Sequence, residues 1–390
     1  MKAVVIGAGV LGASVAYQLA KRGCDVTVLD KGIPGGAASA ASFAWLNSCD
    51  KQPRTYHNLN AMSIDEWVVV ARELRSSSWL HRDGNVHVAN SPVDAEALLA
   101  RVERLHSCGY AGVAMAPREL PRLDPVIRVR DDYELAAFFP GEGYITVPLL
   151  IHDLLGAAKE MGATLRDSTN VTELSTDGQR VTGAVVEGGE RVVGDIVVLV
   201  AGAGIGALMA GQGVSVQTEG TPGVTVTTSP GASNLTTMLH LPGLSVRPDT
   251  GGRLVVRSAE SDTHIDRSAW TLPDAEVQRL LEITAAGVTD LDPAQVRGER
   301  IQIAARPYPF DGLPVVGHWD GIGGLYVMTM HSGVTQGATM GRLAAEEITT
   351  GKASQLLEPF RPTRVIEATA KDVPYFDPYA IEGEKAPTSS

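Results

Sequence analysis

The run Gly7-Ala8-Gly9-Val10-Leu11-Gly12 constrains this chain more than any other feature, because it stands directly between a strand and a helix. Ala3-Val4-Val5-Ile6 before it is continuously apolar, the pattern of a parallel strand covered on both faces. After it, Val10, Leu11, Ser14, Val15 and Leu19, with Ala16 and Ala20, follow a helical stripe that Gly23 would cap. Asp25-Val26-Thr27-Val28-Leu29 then reads as a second strand closing on Asp30. A GxGxxG turn in that context is the signature of a dinucleotide site. Gly7 permits the tight turn, Gly9 lets backbone approach a pyrophosphate, and Gly12 allows helix and strand to pack closely. Free N–H groups at the helix start, around Val10 and Leu11, attract phosphate. Asp30, 18 residues after Gly12 and followed by Lys31, can accept hydrogen bonds from ribose hydroxyls. A glycine turn without ligand is the competing reading.

The same texture returns twice. Ile151 to Gly162 has a helical pattern, Val181 to Val193 alternates and turns at Glu187-Gly188-Gly189, and Ile196-Val197-Val198-Leu199-Val200 runs into Ala201-Gly202-Ala203. Leu325 to Thr329 reads as a strand and Gly337 to Thr350 as an amphipathic helix stopped by Gly351. We therefore expect an α/β dinucleotide-binding domain built from residues 1–45, 145–215 and 310–369. Residues 46–144 and 216–309, with alternating strands such as Arg253 to Arg257 and solvent-facing helices such as Ala275 to Thr284, are expected to form an α+β substrate domain with an antiparallel-rich sheet. Residues 370–390, with Pro374, Pro378, Gly383 and Pro387, read as a loose tail.

Composition bounds the partners. A net charge of −12 argues against nucleic acid and against a surface held to anionic membrane. The uncharged run from Ile196 to Ala210 is too short and glycine-rich to span a bilayer. Cys24, Cys49 and Cys108 form no CxxC pair, so neither a disulfide framework nor a metal site is read, and a reducing cytoplasm is expected. The partner is a small molecule.

The glycine turn alone does not choose between FAD and NAD. The small-residue segment Gly35-Gly36-Ala37-Ala38-Ser39-Ala40-Ala41-Ser42-Phe43-Ala44-Trp45 permits close approach to an extended ligand, although alone it could be a flexible loop. Together with Val197 to Ala203, Arg306-Pro307-Tyr308-Pro309-Phe310-Asp311-Gly312-Leu313-Pro314-Val315-Val316-Gly317 and His331-Ser332-Gly333-Val334-Thr335, it resembles the D-amino acid oxidase, glycine oxidase and sarcosine oxidase family of FAD flavoproteins. The resemblance spans nearly the whole chain. It implies that Ala38 and Ser39 touch the pyrophosphate, that Ser42, Phe43, Ala44 and Trp45 pass along the flavin, and that Val171 approaches the adenine. Ala201 and Gly202 would also line the cofactor. Gly333-Val334-Thr335-Gln336 would present helix-start N–H groups to the flavin pyrimidine edge, where two-electron reduction leaves negative charge.

The resemblance also implies the reaction: hydride leaves the carbon next to an amine nitrogen for flavin N5, and the resulting imine hydrolyses. Arg306 is the candidate for holding a substrate carboxylate through a bidentate pair, against a lobe-bridging salt bridge as the alternative. His331 is expected near the flavin ring, or is a satisfied structural residue before a helix. Lys51 and Tyr308 are further catalytic candidates, with Arg54, Tyr144 and Arg247 equally readable as solvated or packed side chains. The sequence departs from the sarcosine oxidases in two ways. It has no cysteine after Cys108, so FAD is expected to bind without a covalent link, and no lysine between Lys159 and Lys352, so either O2 or another electron acceptor is open, with Lys51 or an arginine as substitute. The proline usual after the histidine-serine-glycine run is absent, with Gln336, Gly337 and Ala338 there instead. Two other functions are weighed: a nicotinamide-dependent dehydrogenase, which would explain the first thirty residues only, and a flavin-binding subunit of a hetero-oligomeric amine dehydrogenase.

Overall fold

Lys2–Ile6 becomes the interior strand its residues dictate, with Ala3, Val4, Val5 and Ile6 all buried. It pairs in parallel with Asp25–Leu29 (Ala3 opposite Val26) and with Ile196–Leu199 (Val4 opposite Val197). The structure, a computed structural model, describes residues 1–212 and 218–364. Among the described residues this sheet has six strands in the order Val315–His318, Leu325–Thr329, Ile196–Leu199, Lys2–Ile6, Asp25–Leu29, Thr164–Arg166. Its pairs are parallel except the first, which is antiparallel. Three remote stretches of sequence thus assemble one sheet, and the expected α/β class with an antiparallel-rich second sheet is what the chain adopts.

Three helices cover one face. Val10–Lys21 buries Val10, Ala13, Val15, Ala16 and Leu19 and packs against both Val147–Glu160 and Gly333–Thr350. The contact with the latter requires glycine: a Cβ on Gly341 would lie 2.8 Å from the Ser14 backbone. The helix ends at Gly351, whose φ of +69° is the left-handed cap the sequence predicts. On the opposite face lies the three-stranded antiparallel sheet Val171–Asp177, Arg180–Val186, Arg191–Val193, with its turn at the expected glycines.

The stretch 46–144, expected wholly in the second domain, divides. Its helix Arg54–Leu74 carries a stripe of Tyr56, Leu59, Ile64, Trp67, Val70 and Ala71 at helical spacing, and this stripe enters the first core. Trp67 is fully buried there and donates from Nε1 to the Val334 carbonyl at 2.9 Å, while Glu66 accepts from Thr339 and pairs with Arg342. A reading by overall texture misses such a stripe, since polar residues on the other face dilute it.

The second sheet runs Gly298–Pro309, Thr218–Thr228, Arg253–Arg257, Leu244–Asp249, Met238–Leu241, Asn85–Ala89, Leu135–Phe139, Val113–Met115. It is antiparallel except between Met238–Leu241 and Asn85–Ala89. Two local expectations change here. Arg253–Arg257 does not alternate: Leu254, Val255 and Val256 are all buried, because the first and third join the core beneath the sheet while Val255 meets Phe43 and Tyr144 on the other face. The helix Asp274–Gly287 is not solvent-facing throughout, since Val277 and Leu280 join that core and Leu281 and Thr284 are also buried. Among the described residues no helix is long and apolar enough to cross a membrane. The expected boundary near residues 215 and 216 and the expected tail 370–390 lie outside the described residues.

Candidate active site

At the glycine turn the backbone closes on itself. Gly7 has φ +109°, a Cβ on it would stand 2.5 Å from the Val200 carbonyl oxygen, and one on Gly12 would stand 1.8 Å from the Gly7 oxygen. Asp30 braces the turn, accepting from Ala8 N at 2.6 Å and Gly32 N at 2.9 Å. Ser39 reaches over from the small-residue segment, its Oγ accepting from Val10 N at 3.2 Å. The N–H groups of Gly9, Leu11 and Gly12 have no protein acceptor among the described residues. A helix start with three orphan donors is a site for an anion.

A second helix start faces the same space. The N–H groups of Gly333, Val334 and Thr335 likewise have no protein acceptor among the described residues. Their position is fixed from three sides: Thr335 Oγ1 donates to the Trp45 carbonyl at 3.0 Å, Tyr56 OH donates to Ser332 Oγ at 2.8 Å, and Trp67 holds Val334. Beneath, Ala44 sits at φ +59°, a left-handed conformation that a non-glycine residue adopts at some cost.

One cavity of about 1320 Å³ joins the two helix starts. Every sequence-predicted cofactor residue lines it except Gly12 and Gln336. Gly12 serves helix packing instead, and Gln336 is fully buried behind the helix start with its amide atoms unpaired among the described residues. The cavity has orphan donors at two separate helix starts and small residues such as Ala38, Ser39, Ala41 and Ala44 in its wall, which fits an extended dinucleotide.

The four predicted catalytic residues also line this cavity. Arg306, on the Gly298–Pro309 strand, donates to Asp262 at 3.1 Å and to the Pro222 carbonyl at 2.9 Å, a salt bridge within the second domain and not between the two, and its guanidinium stays on the cavity wall. Arg257 approaches the same Asp262 at 3.5 Å. A Cβ on Gly223 would lie 2.6 Å from Arg306 Nε, so glycine makes room for the guanidinium. The His331 ring stacks on Tyr308 with centroids 4.1 Å apart. Burial, reinforced by Lys51 and Arg306, holds His331 well below the usual histidine range, and burial pushes Tyr308 up to about 12. Both therefore stand neutral. Burial works against the Lys51 ammonium, but Asp50 at 2.9 Å outweighs it and raises Lys51 above its ordinary value.

The weaker candidates fall elsewhere. Arg54 is exposed and off the cavity. Arg247 is buried over the Tyr144 ring at 4.8 Å and donates to the Phe43 carbonyl at 2.7 Å, so this pair supports the wall from behind. Sequence reasoning missed Tyr56, Trp67, Arg257 and Asp262, and also Glu142. This buried carboxylate accepts from Trp45 Nε1, Ser48 N, Cys49 N, Asn85 Nδ2 and Tyr110 OH at 2.8–3.0 Å, pinning the loop that enters the cavity. Its only sequence signal is an acid between Gly141 and Gly143.

Comparison with known proteins agrees with this geometry. The model of the family described as FAD dependent oxidoreductase (DAO) matches residues 2–347. The chain is 26% identical over 373 residues to a glycine oxidase of Geobacillus kaustophilus, covering 93% of this chain and 96% of the relative. It is 27% identical to one subunit of an opine oxidase from Agrobacterium tumefaciens, covering 92% and 96%. The crystal structure of the Geobacillus kaustophilus glycine oxidase superposes with a TM-score of 0.81, over 93% of this chain and 98% of that one.

Proposed function

The chain belongs to the FAD dependent oxidoreductase family, and from that premise we propose that it oxidises an amino acid or secondary amine, of the glycine, sarcosine or D-amino acid kind, at the carbon next to nitrogen. The nicotinamide alternative is set aside by that membership. FAD held by Gly9, Leu11, Ser39 and Gly333 to Thr335 would supply the two-electron acceptor for hydride from that carbon, and the resulting imine would hydrolyse in water. The observation that carries the reading is the sharing of one cavity by the two orphan helix starts and by Arg306, Tyr308, His331 and Lys51. The N-terminal start, with Ser39 and Ala38, would hold the pyrophosphate, and Gly333 to Thr335 would face the flavin edge.

Arg306, kept in place by Asp262, would take the substrate carboxylate. Lys51, Arg257 and Arg306 put positive charge around the amine, which disfavours its protonated form and leaves the lone pair free. Tyr308 and His331 keep their protons and charge fixed and so orient the amine without competing for its proton. The electrons would pass on to O2 or another acceptor, and Lys51, a cation on the cavity wall, is our candidate to assist O2. The charge balance keeps nucleic acid out of the partner set, and the unpaired thiols of Cys24, Cys49 and Cys108 suit a cytoplasmic setting.

Anaerobic mixing of the holoenzyme with glycine, sarcosine, other N-alkyl glycines and a panel of D-amino acids tests this. Bleaching of the flavin by at least one is expected, and Arg306→Ala should slow carboxylate substrates about a hundredfold or more. Absence of bleaching by every amine would overturn the reading. The name of the Agrobacterium relative supports a second reading, a flavin-bearing subunit of a hetero-oligomer. Bleaching by the isolated chain separates the two.

A further inference from the structure

The cavity has an arm that the oxidation chemistry leaves unexplained. Beyond Trp45 its wall is a stack of aromatic rings, His240 at 4.2 Å from Trp45 and His87 at 4.4 Å from His240. Both imidazoles stand neutral: burial drives His240 down to about 3 and His87 well below the usual range. His240 Nδ1 lies 2.8 Å from the Ser245 hydroxyl, and its Nε2 is buried with no partner among the described residues. With Ser245 donating to Nδ1, Nε2 carries the ring hydrogen and is a donor. Arg101, half-buried on the helix Pro92–Ser107, also lines the cavity and has neither an ion pair nor a hydrogen bond among the described residues. Its guanidinium is a permanent positive charge without a carboxylate at ion-pair distance among those residues.

Two positions along this part of the cavity carry a local excess of positive charge. Asp50 faces Lys51 at 2.9 Å, and Glu260 shares Arg279, at 3.1 Å, with Glu276 at 2.6 Å. Asp262 faces both Arg257 and Arg306, one carboxylate against two guanidinium groups. Arg101 adds a second excess charge at the other end. A buried or half-buried cation costs free energy until enough negative charge meets it.

Resting on the oxidation proposed above, we infer that Arg101 with His240 forms a second anion subsite and that the substrate is a secondary amine bearing a carboxylate on each arm, one for Arg306 and Arg257 and one for Arg101. The ring stack of Trp45, His240 and His87 forms the wall along the arm that carries the second carboxylate. A neutral amine between two carboxylates sets one anion at each of these two positions.

Ethers of the same shape, which contain no nitrogen and cannot be oxidised at such a centre, test the subsite apart from turnover. Oxydiacetate, its one-carbon-longer homologue 3-(carboxymethoxy)propanoate, and the one-carboxylate methoxyacetate are titrated into the holoenzyme by calorimetry. At least one of the two diacids should bind tenfold or more tighter than methoxyacetate. Arg101→Gln should reduce that preference to less than threefold, and Arg101→Lys, which keeps the charge, should retain part of it. Equal binding of diacids and monoacid by the unaltered enzyme, or a preference that survives in Arg101→Gln of unchanged FAD content and melting temperature, overturns the subsite. If the preference holds but no amine bleaches the flavin, the oxidation reading fails and the subsite stands.

Discussion

Gly9→Ala separates a glycine that serves the ligand from one that serves the fold. Gly9 has φ −72° and ψ −174°, an extended conformation any residue adopts, so the substitution meets no backbone strain. Its new Cβ would stand 3.0 Å from Ser39 Oγ, the end of a side chain that can give by a few tenths of an ångström. The fold should hardly notice. Replacing glycine by alanine removes about 0.4–1 kcal/mol of unfolded-state entropy, and the poorer helix cap costs a comparable amount, leaving apoprotein stability within about 1 kcal/mol. The methyl group, however, points into the cavity beside the orphan N–H groups of Gly9 and Leu11. Holding a pyrophosphate off two charge-assisted hydrogen bonds at about 1.5–3 kcal/mol each removes about 3–6 kcal/mol. At about 1.4 kcal/mol per tenfold, FAD should dissociate about a hundredfold to ten-thousandfold more readily. Titrating apoprotein with FAD by fluorescence quenching, beside a urea melt of the apoprotein, reads both quantities. A dissociation constant within threefold of the original, with the fold intact, would refute the placement of the pyrophosphate. An apoprotein destabilised by more than about 2 kcal/mol would refute the division of roles.

Thr335→Val removes the hydroxyl that donates to the Trp45 carbonyl, so a buried acceptor loses its donor; a urea melt should show a loss of about 1–3 kcal/mol, and no loss would mean the two segments are not tied there. Since His331 lies well below the usual range and Tyr308 near 12, neither changes charge between about pH 6 and pH 10. The rate of flavin reduction at low substrate should therefore rise with pH along the substrate amine's own titration alone. A second break near neutrality that His331→Asn abolishes would contradict this. Lys51→Met should slow reoxidation by O2 about tenfold more than it slows reduction in stopped flow, whereas equal slowing would remove Lys51 from the acceptor half of the reaction.

The six-stranded sheet was largely legible because its signals are local and redundant: Ala3 to Ile6 must be covered on both faces, and the glycine turn names its own geometry. Resemblance carried the reading further, bringing Gly333 to Thr335 toward Gly7 to Leu11 across more than three hundred residues of sequence. What stayed hidden depends on contacts that no local pattern records. Trp67 is one position of an amphipathic stripe, and nothing near it in sequence says that its indole will hold Val334. Asp262 sits on the short helix Ala259–Thr263, far in sequence from the Arg306 that it holds, and Glu142 gathers donors from three separate segments. Arg247 and Tyr144 show the reverse: their residue types suit a site, but burial behind Phe43 assigns them to support.

A crystal structure of the chain with FAD tests the central claim most directly. The account predicts one FAD per chain, its pyrophosphate within hydrogen-bond distance of Gly9 and Leu11 N–H and its flavin pyrimidine edge at the N–H groups of Gly333 to Thr335. A cofactor that touches only one of the two helix starts, or a flavin edge turned away from Thr335, would contradict it.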